Sequence, residues 1–397
     1  MKKTILLLTI LFVVTTGLIA QVAIFADSIF PVTSPLIRKG VILINKGKIE
    51  KIGTESDIKV PENYTRVKAH AVTPGFIDAR STIGMSGVYN NNTDQDQLEK
   101  SSPIQPELRA IDAYNPEEKL VSVAREYGIT TLHTGHGIGA LVSGQTMVVS
   151  TKPGNVESVT LKPLCMLAMT IGDGVSGHFS SPGTKAKQIS MIRTELLKAK
   201  EYAKKMEEKD STKRPTFDLK MDMLSKLLKG EIKAMITANT TVDIMGAIRL
   251  AKEFQLKLVL DGAAEAYRLT DEIKAAKAEI ILHATMARNE GDMLNMSRAS
   301  AALLTKAGIP VSIESGYEGY VPKTRIVLFE AAVAMSFGLS YEDALKTITI
   351  NPATLLGIDK ERGSIEKGKK ADLVLFDGDP FEYTSHVTGV YIDGIRY

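Results

Sequence analysis

Four of the six histidines in this 397-residue chain fall at or just beyond the carboxyl ends of predicted strands. His133 and His136 flank a short turn, while His178 and His283 follow later strands. Imidazole and carboxylate groups are the usual ligands of Zn²⁺, so these histidines with Asp173 could hold a divalent metal at a non-standard site. An H-x-x-H pair alone is a weak motif. The alternative is that these side chains line a polar cavity or cap the strands.

Two carboxyl groups at predicted strand ends could supply acid–base chemistry. Asp261 closes a predicted strand at 257–261, and Glu314 closes another at 311–314. A positioned carboxyl group can take a proton from water or give one to a leaving group. We therefore identify Asp261 and Glu314 as candidate catalytic residues, which would act without a metal ion.

The middle of the chain alternates between predicted strands and predicted helices, a pattern typical of βα units around a mostly parallel sheet. Eight strands predict a TIM-like (β/α)8 barrel of the α/β class, whose functional residues lie at the carboxyl ends of the strands. No helix is predicted between the second and third strands, so the strand order there stays open. The predicted strands are 72–78, 129–134, 146–150, 166–171, 233–237, 257–261, 279–283 and 311–314. The predicted helices are 117–127, 191–209, 221–229, 242–254, 267–275 and 298–306.

Short strands with alternating apolar residues are predicted at both ends of the chain. They cover residues 22–28, 41–44, 48–52, 371–377 and 387–392. We expect residues 21–72 and 360–397 to form one small β-sandwich beside a barrel of residues 73–359. A long polar insertion at 88–115 follows the first barrel strand and is expected to cover the barrel mouth as a lid.

The first twenty residues have the features of a secretory signal peptide. Lys2 and Lys3 precede an apolar stretch at 5–19, and Ala20 offers a small residue for cleavage. This pattern predicts that residues 1–20 are removed and that the mature chain is exported, to the periplasm or outside the cell. An uncleaved membrane anchor is the alternative. The apolar stretch is short for a full span, so we expect no membrane anchor after cleavage.

Composition narrows the classes of partner. Lysine and arginine (49 residues) nearly balance aspartate and glutamate (46 residues), and no basic run is interleaved with aromatic residues. Nucleic acid is therefore not an expected partner. The single cysteine, Cys165, excludes an intramolecular disulfide. We expect a small-molecule ligand or substrate as the partner, and self-association into a homo-oligomer is a further option.

Three segments together resemble the amidohydrolase superfamily, in particular its imidazolonepropionase-like branch. The first barrel strand and its continuation, residues 73–84, read TPGFIDARSTIG. Residues 344–353, ALKTITINPA, resemble the last barrel helix, and residues 363–374, GSIEKGKKADLV, resemble the return to the sandwich. The resemblance implies a metal-dependent hydrolase of carbon–nitrogen (non-peptide) bonds, acting on a small cyclic amide or peptide-like substrate.

The metal-binding histidines of that family are replaced in this chain. Arg80 and Thr82 stand at the pair expected after the first strand, and Thr237 and Gly262 stand at the positions expected after the fifth and sixth strands. Threonine and glycine are poor metal ligands, and Arg80 places a cation where the ion would lie. We therefore expect no metal at the standard positions and no other cofactor.

Several polar residues near the predicted strand ends could contact a substrate. Arg80 itself should need an anionic partner, because burying an unpaired charge is costly. We predict a carboxylate within salt-bridge distance of Arg80, with Asp261 and Glu314 as the first choices. The candidate substrate-binding residues are Arg80, Thr82, His133, Thr237, Asn239 and Tyr317.

Two functional classes remain open from the sequence. One is a hydrolase of carbon–nitrogen bonds, as the resemblance implies. The other is a catalytically inactive, exported protein that binds a ligand on the same scaffold. The family resemblance favours the first class, and the replaced metal ligands favour loss of the usual mechanism. A metal-free acid–base enzyme that uses Asp261 or Glu314 is a third option.

Overall fold

The computed structural model of the protein describes residues 21–89, 91, 93–316 and 326–397. One sheet forms a nearly closed barrel, and a second sheet combines strands from both ends of the chain. The predicted α/β fold, a TIM-like barrel with a second sheet built from both chain ends, is therefore confirmed. The signal peptide predicted at 1–20 and the side chain of Tyr317 lie outside the described residues.

The strands of the barrel are buried along almost their whole length, as expected where helices cover a parallel sheet, and only Lys233 and Glu279 at the starts of two strands are partly exposed. In chain order the strands are β1 (Val22–Ile29), β2 (Ile37–Asn45), β3 (Lys48–Thr54), β4 (Thr65–Pro74), β5 (Phe76–Ser81), β6 (Ile129–Gly135), β7 (Val142–Ser150), β8 (Thr160–Lys162), β9 (Met166–Thr170), β10 (Lys233–Ala238), β11 (Leu258–Gly262), β12 (Glu279–Leu282), β13 (Val311–Ile313), β14 (Leu373–Phe376), β15 (Val387–Ile392) and β16 (Ile395–Arg396).

The barrel strands follow the order β5, β6, β7, β9, β10, β11, β12 and β13, and β8 pairs with β7 outside this order. Strand β7 runs antiparallel to both of its neighbours, β6 and β9, whereas the other adjacent strands are parallel. Antiparallel neighbours need no crossover helix. This explains why the sequence predicts no helix between the second and third strands.

The second sheet has the order β16, β15, β14, β4, β1, β2, β3. Strand β4 pairs in parallel with β1 and antiparallel with β14, so it joins the two ends of the chain. The segment just before β14 also reaches the β2–β3 hairpin, where Gly368 N donates to Ile49 O at 2.8 Å and Ala371 N donates to Gly47 O at 3.0 Å.

Helices surround the barrel, and several begin at a side chain that accepts a hydrogen bond from the first turn. Thr184, Asp218, Thr240 and Ser340 make this contact at the starts of α4, α5, α6 and α10, as preferred N-cap residues do. Within the described residues, no helix is long and apolar enough to cross a bilayer. The helices are α1 (Lys119–Glu126), α2 (Val156–Val159), α3 (Asp173–Ser176), α4 (Lys185–Met206), α5 (Leu219–Leu228), α6 (Thr241–Phe254), α7 (Thr270–Ala276), α8 (Ser300–Lys306), α9 (Val327–Ser336), α10 (Tyr341–Thr347) and α11 (Ile350–Leu356).

Two apolar cores lie on the two sides of the barrel wall, because successive strand residues point to opposite faces. Ile236 and Leu260 belong to the outer core shared with the helices. Met235, Val259 and Ile281 belong to the inner core. The inward position that follows each of these three residues is polar, and those polar residues form the candidate site.

The barrel closes between β5 and β13 through a side chain. Asp78, on β5 and fully buried, accepts a hydrogen bond from the backbone N–H of Ser315 at 3.0 Å and another from the Ser315 hydroxyl group. Ser315 lies just beyond β13. One carboxyl group therefore fixes the first barrel strand against the last.

A buried ion network joins the second sheet to the barrel. The guanidinium of Arg362 contacts Asp372 and lies 2.9 Å from Asp393. Asp393 also lies 3.0 Å from the ammonium of Lys152, which follows β7. Burial would raise the pKa of Asp393, but the charges of Arg362 and Lys152 lower it below its ordinary value.

Replacing Arg362 with Met should lower the free energy of unfolding by about 3–5 kcal/mol, because it removes the cation that is paired with the buried carboxylate of Asp372. Urea denaturation followed by circular dichroism measures this loss. The matched control is Arg193→Met, which breaks a half-exposed pair with Glu253 and should cost less than about 1 kcal/mol. Equal losses in the two variants would contradict the structural role of Arg362.

Candidate active site

A layer of polar side chains closes the barrel interior above the inner apolar core. Its members occupy the inward positions at or just beyond the carboxyl ends of the parallel strands, where barrel enzymes place their functional groups. All of them are buried. They include Arg80, His133, Thr170, Thr237, Asp261, His283 and Glu314.

Arg80 lies in a bulged part of β5, where the pairing with β6 shifts between Asp78 and Ser81. Its side chain is 4% exposed, and its guanidinium donates to the carbonyl of Ser81 at 3.1 Å and to the carbonyl of His136. A bulge redirects side chains, which turns the guanidinium towards these two carbonyls.

The predicted salt bridge of Arg80 is therefore wrong: among the described residues, no carboxylate lies within 4.0 Å of its guanidinium. The positive charge still acts at longer range. It favours the ionised forms of Asp78 and Glu314, in opposition to burial. The positive charge of Arg80 is thus stabilised by backbone carbonyl groups and by the nearby acids rather than by one ion pair.

Asp78, which is part of the family-like segment at 73–84, is not among the predicted site residues. It accepts hydrogen bonds from Arg80 N at 3.2 Å and from both polar groups of Ser315. Burial raises the pKa of Asp78 to about 7, although these donors and the charge of Arg80 lower it. The residue thus connects the Arg80 bulge with the segment that carries Glu314.

Asp261 and Glu314 come together in the barrel mouth. Thr237 donates its hydroxyl hydrogen to Oδ2 of Asp261 at 2.5 Å. Oδ1 of Asp261 is buried and has no hydrogen-bond partner among the described residues. Burial and then the negative charge of Asp261 raise the pKa of Glu314 well above its ordinary value, against the effect of Arg80. The carboxyl groups of Asp261 and Glu314 therefore interact directly in the barrel mouth.

The buried histidines are neutral at physiological pH. Burial and the charge of Arg80 lower the pKa of His133 to about 3 and that of His136 to about 4. Burial also lowers the pKa of His283. His133 donates from Nδ1 to the carbonyl of Ala79 at 2.6 Å, and its Nε2 lies 2.7 Å from the hydroxyl of Thr146.

The five residues considered for a relocated metal site do not come together. His133 is held by its two hydrogen bonds inside the barrel, whereas Asp173 and His178 are exposed. Asp173 lies 4.0 Å from the ammonium of Lys185. Over the described part of the chain, no group of three His, Cys, Asp or Glu side chains is arranged to hold a metal ion.

The four positions at which the sequence predicts replaced metal ligands do not fit a metal ion either. Thr82 Oγ1 is 2.7 Å from the Ser86 hydroxyl, and Thr237 is bound to Asp261. Gly262 has φ +72°, and a Cβ there would lie 2.6 Å from Oδ1 of Asn239. Glycine tolerates this conformation, whereas histidine would be strained. The donor set at these positions therefore does not suit a divalent metal.

The predicted substrate-binding residues divide into two groups. Thr82, His133 and Thr237 have their polar atoms hydrogen bonded inside the protein. Asn239 donates to Asp292 at 3.0 Å, but its Oδ1 is buried with no partner among the described residues. Arg80 uses part of its five N–H donors. Arg80 and Asn239 thus keep polar groups available to a ligand.

His283 belongs with these available groups, although the sequence analysis assigns it only to a metal site. Its Nδ1 donates to the carbonyl of Ala284 at 2.9 Å. This bond leaves Nε2 as an acceptor, because a neutral imidazole has one donor and one acceptor nitrogen. Nε2 is buried and lacks a partner among the described residues.

The insertion at 88–115 lies against the upper ends of β6 and β7. Gly137 N donates to the carbonyl of Gln97 at 2.6 Å, and Gln105 N donates to the carbonyl of Val142 at 2.9 Å. Gln145 N donates to the carbonyl of Leu108 at 2.8 Å. Backbone hydrogen bonds therefore fasten this segment next to Arg80 and His136.

Asp78→Asn should make the stability of the protein less sensitive to pH. A carboxyl group whose pKa is raised to about 7 on folding stabilises the fold at low pH and loses this contribution as the pH rises through about 7. Between about pH 4 and about pH 8, the wild type should lose about 4 kcal/mol relative to the variant.

Urea denaturation at a series of pH values measures this difference. The control is Asp271→Asn on α7, whose side chain is 92% exposed and which should follow the wild type at every pH. If the free energy of unfolding changed with pH in the same way in Asp78→Asn and in the wild type, the raised pKa of the buried Asp78 would be contradicted.

Known proteins resemble the chain over almost all of its length. An amidohydrolase from Thermotoga maritima MSB8, known from its crystal structure, is 31% identical in sequence and superimposes with a TM-score of 0.89, covering 94% of this chain and 99% of that protein. The imidazolonepropionase of Clostridium tetani is 23% identical over 382 residues, which are 90% of this chain and 88% of the relative.

A longer relative shares only part of its length with this chain. An amidohydrolase of Hapsidospora irregularis is 23% identical over 389 residues, which cover 89% of this chain but 39% of that protein. The sequence model of the amidohydrolase family matches residues 71–396, from the end of β4 through the barrel to the last strand of the second sheet. The chain therefore belongs to the amidohydrolase family.

Proposed function

We propose that the protein is a hydrolase that opens a carbon–nitrogen bond of a small cyclic amide or peptide-like substrate. Asp261 and Glu314 are the proposed catalytic residues. The observation that carries the proposal is the pairing of Oδ1 of Asp261, buried without a partner among the described residues, with a Glu314 carboxyl of strongly raised pKa. Membership of the family and the resemblance to imidazolonepropionases support the bond type.

The two carboxyl groups divide the acid and base roles: the raised pKa of Glu314 suits it to hold a proton as the general acid, and Asp261 acts as the general base. Asp261 takes a proton from water as the water oxygen bonds to the substrate carbonyl carbon. Glu314 then gives its proton to the nitrogen as the carbon–nitrogen bond breaks. The proton on Asp261 then passes to Glu314, which restores the starting state of both carboxyl groups. No step of this scheme uses a metal ion.

Arg80 supplies the electrostatic part of the reaction. Negative charge develops on the carbonyl oxygen when water adds, and a fixed donor in a buried site stabilises it strongly. The guanidinium is held by the carbonyls of Ser81 and His136, so its direction is set before the substrate arrives. Its remaining N–H groups are the proposed donors to this oxygen.

Asn239 and His283 complete the proposed contacts with substrate. Their free atoms, Oδ1 and Nε2, are acceptors and therefore suit the N–H groups of an amide. Thr237 is better described as a positioning residue, because its hydroxyl is bound to Asp261. Thr82 and His133 are also described as positioning residues, because both form hydrogen bonds to neighbouring protein groups.

A ligand-binding protein without turnover is the second candidate function. It is favoured by one specific observation: the four positions that replace the family's histidines hold no metal-binding side chain and are occupied by Arg80, Thr82, Thr237 and Gly262. A binding protein would use the same free donor and acceptor atoms in the barrel mouth. It would bind a cyclic amide and release it unchanged.

Asp261→Asn and Glu314→Gln should each lower the rate of cyclic amide hydrolysis by about 10²-fold or more, because each removes one proton-transfer group. Hydantoin, dihydrouracil and succinimide serve as probes, with ring opening followed by ultraviolet absorbance in the presence of a chelator. The control is Glu272→Gln on the exposed face of α7, which should keep the wild-type rate.

Three outcomes distinguish the candidate functions. Turnover that persists with chelator and disappears in both carboxyl variants supports the hydrolase. Saturable binding of a probe without turnover contradicts the hydrolase and supports the ligand-binding protein. Turnover that is abolished by chelator and restored by Zn²⁺ overturns the metal-free scheme.

A further inference from the structure

A cavity of about 620 Å³ lies between the second sheet and helix α10, away from the polar layer of the barrel. Its walls come from the end of β1, the connection to β2, part of β4 and α10. None of the proposed catalytic or substrate-contacting residues lines it. Small-molecule sites commonly have this volume, lie between structural units and combine apolar walls with a few polar groups.

Aromatic side chains that pack against one another form one wall of the cavity. The rings of Phe30 and Tyr341 stack with centroids 5.3 Å apart, and Phe381 packs edge-on against Tyr341 with centroids 4.9 Å apart. The Tyr341 hydroxyl donates to Asp379 at 3.0 Å, which fixes the ring. Leu345 adds a buried aliphatic surface. This wall suits a flat apolar group.

Arg38 provides the polar group of the cavity that has spare hydrogen-bond donors. Its guanidinium donates to the Ser28 hydroxyl at 2.7 Å. Among the described residues it forms no ion pair and no other hydrogen bond. Its charge reaches the hydroxyl of Tyr341 and opposes the rise in the pKa of that group, which burial and Asp379 cause. A guanidinium with free donors beside an aromatic wall is suited to a carboxylate.

The other ionisable groups at the cavity, apart from Glu342, already have partners, and His70 lies 3.0 Å from Asp27. Asp379 accepts hydrogen bonds from Tyr341 and from the backbone of Phe381. The ammonium of Lys346 lies 3.0 Å from Asp343. Glu342 is exposed to solvent. Arg38, which is exposed at the edge of the cavity, is the cation there that has no carboxylate partner among the described residues.

The backbone around the cavity is held in an uncommon conformation. Val32, in the connection that lines the cavity, has φ +64°, and Lys39, next to Arg38, has φ +48°. A β-branched residue at positive φ is a genuine outlier, and such strain gathers at ligand sites, where the surrounding structure maintains it. Hydrogen bonds of Phe30 N to Val72 O and of Ile365 N to Pro31 O hold the connection in place.

We propose that this cavity is a second binding site, separate from the barrel mouth, for an organic monocarboxylate with a flat apolar body. The apolar body lies against Tyr341, Phe30 and Leu345, and the carboxylate accepts hydrogen bonds from Arg38. The site does not depend on whether the barrel catalyses hydrolysis.

The test is isothermal titration of the full chain with 1-naphthoate and with the neutral analogue 1-naphthamide. The wild type should bind naphthoate saturably, and Arg38→Gln should weaken it by about tenfold or more, since a charge-assisted hydrogen bond is lost. Binding of naphthamide should change little in that variant. The matched control is Arg66→Gln on the same sheet, because Arg66 lies over Phe25 outside the cavity.

A second comparison separates this site from the barrel mouth. Asp261→Asn should leave the affinity for naphthoate unchanged, whatever its effect on hydrolysis. The proposal is overturned if the wild type does not bind naphthoate, if Arg38→Gln and Arg66→Gln bind it equally well, or if Asp261→Asn abolishes the binding.

Discussion

A positive charge buried at the mouth of the barrel is the constraint around which the site is arranged. Arg80 is 4% exposed and has no carboxylate within salt-bridge distance among the described residues. Burying a charge is tolerated when dipoles and opposite charges compensate for lost hydration. Here two backbone carbonyls accept hydrogen bonds from the guanidinium, and its charge lowers the pKa values of Asp78 and Glu314 against the effect of burial.

Asp78 connects the Arg80 segment with the strands that close the barrel. Through Ser315 it closes the barrel seam, and through the backbone of Arg80 it holds the bulge that directs the guanidinium. Glu314 is the neighbour of Ser315, so the same carboxyl group also sets the position of the proposed general acid. Barrel closure and the placement of acid and cation thus depend on one buried side chain.

The sequence predicts the architecture well because strand and helix periodicity, together with three family-like segments, are local signals. Predicted strands at 129–134 and 233–237 correspond to β6 and β10, and the predicted helix at 242–254 corresponds to α6. The salt bridge of Arg80 could not be predicted correctly, because a bulge decides where its guanidinium points. The role of Ser315 depends on a contact across 237 residues, for which one sequence carries no signal.

We propose that a guanidinium takes the place of a divalent cation in this barrel. Metal analysis of the purified full chain by mass spectrometry tests it most directly, after dialysis against metal-free buffer. The account predicts a content of zinc, iron, manganese, cobalt and nickel far below one ion per chain. One tightly held divalent ion per chain would contradict it, and would place metal ligands where the described side chains offer none.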